Sequence, residues 1–349
     1  MVIDVAEIEK RVNDSYELPN SVIAVVQQPL VTVRTSTYQH GAFIRQCIEG
    51  VLMQKTTFPF EFIIGEDFST DGTRQIVFEY AQRYPNVIRV ITADYNVGMR
   101  ANGIRCIRRA RGKYMALCEG DDYWTDPYKL QKQIDFMEAN PEYTLCCGAY
   151  ESLNENTGER NTVNLYDRIR HGAYRESGFD GASFGLKEME NTWLTATHAT
   201  LFRQDALREY DTKEYGYSRD INLYYHVVKA GRAFYFNEVF GVYRIHDGGV
   251  HSANHGRVNT NIAYQCFREL YEKNGDEYTR RAYLRNVLGL FSYDLFHVYE
   301  ENTVKRKFGI LLEALRLIRR KSEYVWLLRP FLPTRVRRWL FVSYNRLFW

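Results

Sequence analysis

The chain has 349 residues, 45% of them hydrophobic and 26% charged, so it can bury a substantial core as one large domain or as one domain with an appendage. Its net charge is only +3, but residues 303–349 carry twelve Lys or Arg against two acidic residues, which leaves the rest of the chain net negative. Six cysteines without a CxxC pair indicate reduced cytosolic thiols. The N-terminus is polar, so no export signal is predicted. Nowhere do about 18 apolar residues follow one another, so no membrane span is predicted.

Apolar runs alternate with amphipathic stretches from Leu30 onward. LVTVR, EFIIGED, VIRVITA and KYMALCEGDD predict strands, and helices are predicted over 41–54, from STDGT to about Tyr84, and from Met99 to about Arg109. This alternation favours a mostly parallel sheet covered on both faces. Such a sheet binds ligands at the carboxyl ends of its strands, so the strand-end residues are expected to meet at one edge.

The second half of the chain is less regular. A helix is predicted from Asp126 to about Asn140, where Pro141 stops it, and the strand YTLCCGAY follows. Residues 151–190 predict loops and short strands over the site. TWLTATHATLFR predicts a mixed extension of the sheet, and a helix near Asp220 is followed by two strands, FYFNEV and GVYRI.

These patterns divide the chain into three parts. They are an N-terminal leader (1–29), an α/β domain (30–256) and a helical C-terminal region with a basic amphipathic tail (257–349).

Three carboxylates crowd the end of the fourth predicted strand, in CEGDDYW. Glu119, Asp121 and Asp122 repel one another unless a cation lies between them, and Mg²⁺ or Mn²⁺ characteristically binds one or two carboxylates together with substrate phosphates. The alternative is a solvated acidic turn that caps the helix near Asp126. The segment alone does not separate the two interpretations.

A second acidic strand end lies in IIGEDFSTDGT. Capping of the following helix explains Ser69, Thr70 and Asp71. Asp67 is not needed for a cap, and its carboxylate is placed to accept the N3–H of a uracil or a similar base.

Five segments of the chain form an ordered series. They are LVTVRTSTYQHGAFIRQCIEGVLMQ (30–54), IIGEDFSTDGT (63–73), NVGMRANGIRCIRRARGKYMALCEGDDYW (96–124), SRDINLYYHVVKAG (218–231) and VYRIHDGGVHS (242–252). In this order and spacing they resemble the family 2 glycosyltransferases of the GT-A fold. The resemblance implies a Rossmann-like, mostly parallel sheet with a mixed extension. It also implies inverting, metal-dependent transfer from a nucleotide sugar, here a UDP-sugar, to a glycan or lipid-linked acceptor in surface polysaccharide biosynthesis.

By this resemblance CEGDDYW takes the place of the DXD motif that holds Mn²⁺ or Mg²⁺. Asp122 is then the main metal ligand and Asp121 lies near the ribose and the metal. Glu119 stands where relatives more often have Asp. A histidine at the position of His246 completes the metal site or contacts the diphosphate.

The resemblance also assigns donor-binding residues. Thr35 and Tyr38 would line the nucleoside pocket, and Asp67 would hold the base. Arg100 and Asn102 would reach ribose or phosphate. The alternative for this last pair is the exposed first turn of a helix.

Inverting transfer needs a carboxylate to take the proton of the acceptor hydroxyl. In family 2 this base is the last acid of an acidic pair at the start of a helix in the second half. SRDINLYY supplies Asp220, which is the predicted base, but has Arg219 where an acid is common. The alternative is that Asp220 is a helix N-cap, and a neighbouring Arg219 would lower its pKa and weaken it as a base.

Trp193 and His198 form the predicted acceptor platform, because aromatic rings stack on sugar faces. Core packing explains Trp193 equally well.

The last 34 residues, RLIRRKSEYVWLLRPFLPTRVRRWLFVSYNRLFW, combine Arg pairs with aromatic residues at helical spacings. A basic amphipathic helix with aromatic anchors lies in an anionic lipid interface. The alternative is that Trp326, Trp339 and Trp349 pack in a helical subdomain or a dimer contact. No nucleic-acid module is recognised. We therefore predict a cytoplasmic protein held peripherally at the inner face of the plasma membrane, with homo-oligomerisation left open.

A second hypothesis is a catalytically inactive family member that serves as a binding or scaffold subunit at the membrane, because Arg219 and Glu119 depart from the family pattern. A nicotinamide-dependent dehydrogenase also has a parallel sheet, but RTSTYQHG after the first strand contains no GxGxxG turn.

Overall fold

A computed structural model describes residues 4–19, 28–169, 179–189, 194, 196–217, 219–249, 257–297 and 303–328. The chain divides into two compact units, Met1–Ala253 and Asn254–Trp349. The strands all belong to the first unit and are β1 (Tyr16–Glu17), β2 (Val31–Thr37), β3 (Phe60–Glu66), β4 (Ile88–Thr92), β5 (Tyr114–Leu117), β6 (Tyr123–Trp124), β7 (Tyr143–Asn154), β8 (Arg160–Val163), β9 (Gly181–Phe184), β10 (Leu201–Arg203) and β11 (Arg232–Ile245). Its helices are α1 (Val5–Asn13), α2 (Ile44–Leu52), α3 (Thr73–Arg83), α4 (Met99–Ile107), α5 (Lys129–Ala139), α6 (Tyr166–Ile169), α7 (Leu186–Met189) and α8 (Asp220–Lys229).

The strands form one sheet in the order β1-β4-β3-β2-β5-β10-β7-β11-β6, with β8 beside β7 and β9 beside β11. The strands β4, β3, β2 and β5 are parallel. Beyond β5 the sheet is mixed, because β10 runs antiparallel between β5 and β7 whereas β11 runs parallel to β7. The predicted parallel sheet with a mixed extension is confirmed.

Helices cover both faces of the parallel part. Phe62 and Ile64 of β3 join a large buried cluster with residues of α2, α3 and α5, whereas Ile63 packs with Cys106 of α4 on the opposite face. Successive side chains of a strand point to opposite faces, so a strand buried on both sides is apolar at nearly every position. This explains the continuous run FIIG in β3.

Residues 4–19, predicted only as a leader, form α1 and β1 within the first unit. Ile8 and Val12 of α1 share a buried cluster with Val97, Ala101 and Ile104. β1 pairs antiparallel with β4. The N-terminal segment therefore covers one face and one edge of the sheet.

The segments FYFNEV and GVYRI, predicted as two strands, belong to the single strand β11. Its pairing with β7 shifts register between Phe236 and Val239, and again between Val239 and Val242. The second of these shifts spans Phe240, the residue between the two predicted segments, and an irregularity of this kind changes the pairing without ending the strand. The prediction of a break at Phe240 was wrong for this reason.

The second unit is helical over the residues described, as predicted. Its helices are α9 (Arg257–Asn274), α10 (Glu277–His297), α11 (Thr303–Leu317) and α12 (Val325–Leu328). Arg280 of α10 and Glu323 are both fully buried and form an ion pair at 2.6 Å between Nη2 and Oε1. No helix in the described ranges is both long enough and apolar enough to cross a bilayer. Residues 329–349, with most of the predicted aromatic anchors, lie outside these ranges.

Candidate active site

The acidic turn follows β5 and lies against the end of β2. The Gly120 amide donates to the Ser36 carbonyl at 3.0 Å. A Cβ at Gly120 would lie 2.6 Å from Thr37 Oγ1 and 2.8 Å from His40 Nδ1. Glycine therefore lets the turn approach β2 closely and brings His40 beside the acids.

Asp121 is the more accessible of the two adjacent aspartates, with 20% of its side chain exposed. Its Oδ2 lies 3.2 Å from His246 Nε2 and 3.8 Å from His40 Nε2. Burial opposes ionisation of Asp121, but the hydrogen bond from His246 and the charge of His40 outweigh it and lower the pKa of Asp121. The bond to Asp121 in turn raises the pKa of His246.

Asp122 faces the interior. Its Oδ1 accepts the Arg244 backbone amide at 2.9 Å, and its Oδ2 lies 3.3 Å from His198 Nδ1. Burial raises the pKa of Asp122, partly offset by His198. The role of main metal ligand for Asp122 stays a prediction; in this structure its carboxylate contacts the Arg244 amide and His198, and Asp121 is the more exposed of the two.

Glu119 is paired with a cation of the protein itself. Arg34 Nη2 donates to Glu119 Oε1 at 2.6 Å, and the Ser36 amide donates to Oε2 at 3.3 Å. Each of the three crowded acids thus has its own partner among neighbouring side chains or backbone amides. Burial, together with the charges of Asp121 and Asp122, nevertheless raises the pKa of Glu119, so part of the repulsion expected from the sequence remains.

Arg244, which the sequence did not single out, fastens this turn. Its guanidinium donates to the Asp121 carbonyl at 2.7 Å, to Glu155 Oε1 at 2.6 Å, and to Gln46. It also lies 4.4 Å from the centroid of the Tyr123 ring. Its partners are up to 198 positions away along the chain, so no local pattern marked it.

The predicted nucleoside residues differ in accessibility. Tyr38 is 46% exposed, whereas Thr35 is buried and its hydroxyl donates to the Cys118 carbonyl at 2.6 Å. Asp67 is also buried, and its two oxygens accept the backbone amides of Val97 and Gly98 at 2.8 and 2.9 Å. The donor-binding roles of Thr35 and Asp67 stay predictions, and in this structure both side chains join neighbouring strand ends.

Arg100 and Asn102, at the start of α4, are engaged within the protein. Asn102 is buried, donates to the Gly65 carbonyl at 2.9 Å and accepts from Arg105 Nε at 2.9 Å. The alternative of an exposed helical turn is therefore wrong for Asn102. Arg100 donates to the Tyr215 carbonyl at 2.5 Å and to that of Gly216 at 3.3 Å, which ties α4 to the segment before α8. Contact of either side chain with ribose or phosphate stays a prediction.

Asp220 is the first residue of α8 and is exposed. The N-cap position belongs to Arg219, whose backbone amide donates to Asn222 Oδ1 at 3.0 Å. The N-cap alternative for Asp220 is therefore wrong. Arg219 Nη1 lies 3.5 Å from Met99 Sδ.

Tyr243 links Asp220 to the acidic turn. Burial raises the pKa of Tyr243, and the charges of Asp122, Asp121 and Asp220 add to this effect. Asp220 and the two aspartates of the acidic turn are therefore all within electrostatic reach of the Tyr243 hydroxyl.

His198, predicted as an acceptor platform, is fully buried. Its ring packs edge-on against Tyr150, with the centroids 5.2 Å apart, and parallel to Tyr243 at 6.3 Å. A side chain without exposed surface cannot stack on a sugar, so this prediction was wrong. Trp193 lies outside the described residues.

In the described part of the chain, no three His, Cys, Asp or Glu side chains converge as a complete metal site. Asp121 Oδ2 and His246 Nε2, 3.2 Å apart, offer two ligands. Mg²⁺ and Mn²⁺ usually keep several positions for phosphate oxygens and water. The residues thus fit an ion shared with a diphosphate rather than one enclosed by protein.

Residues 32–211 match the sequence model described as Glycosyl transferase family 2. An uncharacterised protein of Mycobacterium tuberculosis is 46% identical over 116 residues, which are 33% of this chain and 34% of that protein. The putative teichuronic acid biosynthesis glycosyltransferase TuaG of Bacillus subtilis is 36% identical over 110 residues, 32% of this chain and 42% of that protein. The matches to these two relatives thus span less than half of their length.

Solved structures share the fold. S. aureus TarS 1–349 in complex with UDP-GlcNAc superposes with a TM-score of 0.59 at 15% identity, covering 83% of this chain and 81% of that one. The mannosyltransferase PcManGT from Pyrobaculum calidifontis, in complex with GDP-Man and Mn²⁺, gives a TM-score of 0.52 at 14% identity, covering 97% and 91%. The predicted GT-A fold is confirmed, with additional helices at the C-terminus.

Proposed function

We propose that this chain, which belongs to glycosyl transferase family 2, transfers a sugar with inversion from a nucleotide-sugar donor to a glycan or lipid-linked acceptor in surface polysaccharide biosynthesis. The observation that carries the proposal is the pairing of the partly exposed carboxylate of Asp121 with His246 at the strand ends, with the exposed Asp220 within electrostatic reach of the same tyrosine hydroxyl, Tyr243. A UDP-sugar is the proposed donor. In support, TarS is solved with UDP-GlcNAc and TuaG is named for teichuronic acid biosynthesis.

The diphosphate end of the donor belongs at the acidic turn. Asp121 and His246 would hold Mn²⁺ or Mg²⁺ there, and Asp122, held by Arg244 and His198, would support the turn from below. The ion, when bound, stabilises the negative charge that grows on the leaving phosphate. Arg244 keeps the carboxylate of Asp121 in place because it binds the Asp121 carbonyl directly.

Asp220 is the proposed general base. Its carboxylate is exposed at the first turn of α8, where an acceptor hydroxyl can reach it. It takes the hydroxyl proton as that oxygen attacks the anomeric carbon, while the nucleoside diphosphate leaves from the opposite face. The product carries the inverted anomeric configuration.

A catalytically inactive binding or scaffold subunit is the second candidate. The ion pair between Arg34 and Glu119 favours it, because this pair removes the first acid of the motif from ligand binding. Both candidates would bind the nucleotide, but only the first would turn the donor over.

The test is donor hydrolysis in the presence of Mn²⁺ across a panel of UDP-sugars. With the best donor, Asp220→Asn should lower turnover by about 10²- to 10⁴-fold and leave the dissociation constant of UDP unchanged, because a base acts on the attacking hydroxyl and not on the nucleotide. Asp205→Asn, which changes another exposed aspartate of the first unit, is the matched control and should retain turnover. Full turnover of Asp220→Asn would show that the base is elsewhere, and no turnover with any donor would favour the second candidate.

The membrane contact is assigned to α11. Phe308, Leu312 and Leu315, four and three residues apart, are all exposed and share one helical face. Arg316 and Arg319 are exposed near its C-terminal end. The acidic residue of α11, Glu313, accepts hydrogen bonds from tyrosine hydroxyls of the same unit.

An apolar face bordered by arginines complements an anionic lipid surface, because the rings and alkyl groups enter the interface while the cations meet the headgroups. A second copy of the chain would bring the same cations to the same face. The proposed location is therefore peripheral, at the cytoplasmic face of the plasma membrane.

A further inference from the structure

Two residues other than glycine adopt a left-handed backbone among the residues described, Gln39 at φ 57° and Phe68 at φ 61°. A bulky aromatic residue rarely takes this conformation, because its Cβ crowds the backbone. Phe68 is nevertheless 39% exposed, so its ring does not compensate the strain by full burial. Strained residues of this kind cluster at ligand-binding sites, where the surrounding structure holds them.

Phe68 and a second exposed aromatic residue, Tyr38, follow neighbouring strand ends. The parallel strands β2 and β3 end in register at Thr37 and Glu66. The pairing continues beyond the strand ends, because the Asp67 amide donates to the Thr37 carbonyl at 3.1 Å. Tyr38 and Phe68 therefore follow neighbouring strand ends, at the edge of the sheet where the acidic turn also lies. Adjacent strands are about 5 Å apart, and continuing the register beyond Thr37 and Glu66 sets Tyr38 beside Asp67, one residue before Phe68.

Arg74 of α3 holds the Phe68 ring. Its guanidinium lies 5.1 Å from the centroid of Phe68 and 5.1 Å from that of Phe78. Arg74 Nη1 is itself held by Glu66 Oε2 at 3.3 Å and by the Ala93 carbonyl at 3.3 Å. The Phe68 ring thus packs against an arginine that is held by the buried Glu66, while more than a third of Phe68 stays open to solvent.

The carboxylate of Asp67, the residue before Phe68, is bonded to backbone amides of Val97 and Gly98. Both oxygens of Asp67 accept backbone amides, so affinity for a nucleobase needs a further source at these strand ends. Exposed aromatic rings supply it by stacking, which tolerates any base because every base has a π-face. On the basis of the proposed function, we propose that Phe68 forms, with Tyr38, the platform on which the nucleobase of the donor stacks. In this proposal the left-handed backbone at residue 68 keeps the ring exposed for the nucleobase.

The test measures affinity for UDP and for pyrophosphate, each with Mn²⁺, by titration calorimetry. Phe68→Ala should raise the dissociation constant of UDP by about 5- to 150-fold and leave that of pyrophosphate unchanged, because only UDP carries a base. Phe68→Tyr keeps an aromatic ring and should keep the affinity. Phe78→Leu is the matched control, because it removes the other ring beside Arg74 away from the strand ends.

Phe68→Gly separates binding from folding. Glycine adopts the left-handed conformation without strain, so this variant should melt no lower than Phe68→Ala and yet lose UDP affinity to the same extent. A Phe68→Ala protein that binds UDP as tightly as the wild type overturns this inference and leaves the proposed function intact. Equal losses of UDP and pyrophosphate affinity would also overturn it, since they indicate a role in folding. A wild-type protein that binds neither UDP nor any other nucleotide diphosphate contradicts the proposed function and this inference together.

Discussion

Asp121 and Asp122 are neighbours in sequence, but their carboxylates have different partners. Asp121 lies between two imidazoles and keeps a fifth of its side chain exposed, whereas Asp122 accepts a buried backbone amide. The first arrangement leaves oxygen lone pairs available to a ligand. The second uses them to hold β11 against the acidic turn, so the two residues should respond differently to substitution.

Asp122→Ala should lower the free energy of unfolding by about 1–3 kcal/mol, because the Arg244 amide loses its acceptor in a buried position. Asp121→Ala should cost less than about 1 kcal/mol, since its side chain is partly exposed. Urea unfolding measures both changes. In the presence of UDP, the rise in melting temperature caused by added Mn²⁺ should disappear in Asp121→Ala. If that rise persists in Asp121→Ala and disappears in Asp122→Asn, the original assignment of the main ligand to Asp122 is restored.

The sequence predicts least about the partners of single side chains. Three acids in one short segment identify the turn, because strand ends of a parallel sheet meet at one edge. The partners that decide which acid faces outward come from distant positions: His246 lies 125 residues from Asp121, and Arg244 lies 122 from Asp122. No periodicity records such pairs. The acceptor role predicted for His198 and the exposed alternative for Asn102 were wrong for the same reason, because burial depends on what packs over a residue.

The helix α8 carries Asp220 at its exposed start and a buried histidine further along. His226 Nε2 lies 2.8 Å from the Tyr215 hydroxyl, and its ring packs against Tyr210 and Tyr225. Burial lowers the pKa of His226 to about 4. The packing of α8 therefore requires this imidazole to be neutral.

This requirement predicts a loss of stability in acid. An unfolded histidine has a pKa near 6.5, so the unfolded chain binds a proton between pH 6.5 and about 4 that the folded chain does not. The contribution of His226 is fully present above pH 6.5 and is lost as the pH falls through that window, by up to about 3 kcal/mol. Urea unfolding of His226→Gln at pH 7 and pH 4.5 should show a smaller difference than the wild type. An equal difference in both proteins would exclude His226 as the cause.

At the scale of elements, hydrophobic pattern predicted the parallel strands well because their burial on both faces leaves nearly continuous apolar runs. It failed at β11, where the break predicted at Phe240 falls in a register shift of one continuous strand. It also did not find α1 and β1. A two-residue strand such as Tyr16–Glu17 is recognisable only by its partner, β4.

The excess of basic residues seen in the sequence lies in residues 303–349, which belong to the second unit. Some of these basic residues are exposed beside the apolar face of α11, so this surface is both apolar and positively charged. The fold class itself followed from the order of strand and helix patterns, since a βαβ series has few arrangements. Such patterns do not predict what binds to an exposed surface, because this depends on molecules other than the chain itself.

Sedimentation with lipid vesicles tests the surface. The protein should bind vesicles that contain phosphatidylglycerol, bind those of phosphatidylcholine poorly, and dissociate as salt rises toward 1 M, where the Debye length falls to about 3 Å. Phe308→Ser combined with Leu312→Ser should weaken binding at least about tenfold, because two apolar side chains no longer enter the interface. Val258→Ser, at an exposed apolar position of α9, is the matched control.

Equal binding of the double variant and the wild type would contradict the assignment of α11. Light scattering tests the alternative, in which a second copy of the chain packs on the apolar face of α11. A dimer that the double variant abolishes would make α11 a contact between two copies of the chain instead.

The match to the family spans residues 32–211 and stops before α8 and β11. Yet β11 lies between β7 and β6 in the sheet, and its last residue is directly followed by His246. A gene fragment cut at the limits of the match would encode an incomplete sheet without its proposed base. A segment that keeps the whole sheet and the proposed base must therefore reach from Tyr16 to at least His246, which is longer than the stretch that the sequence comparison detects.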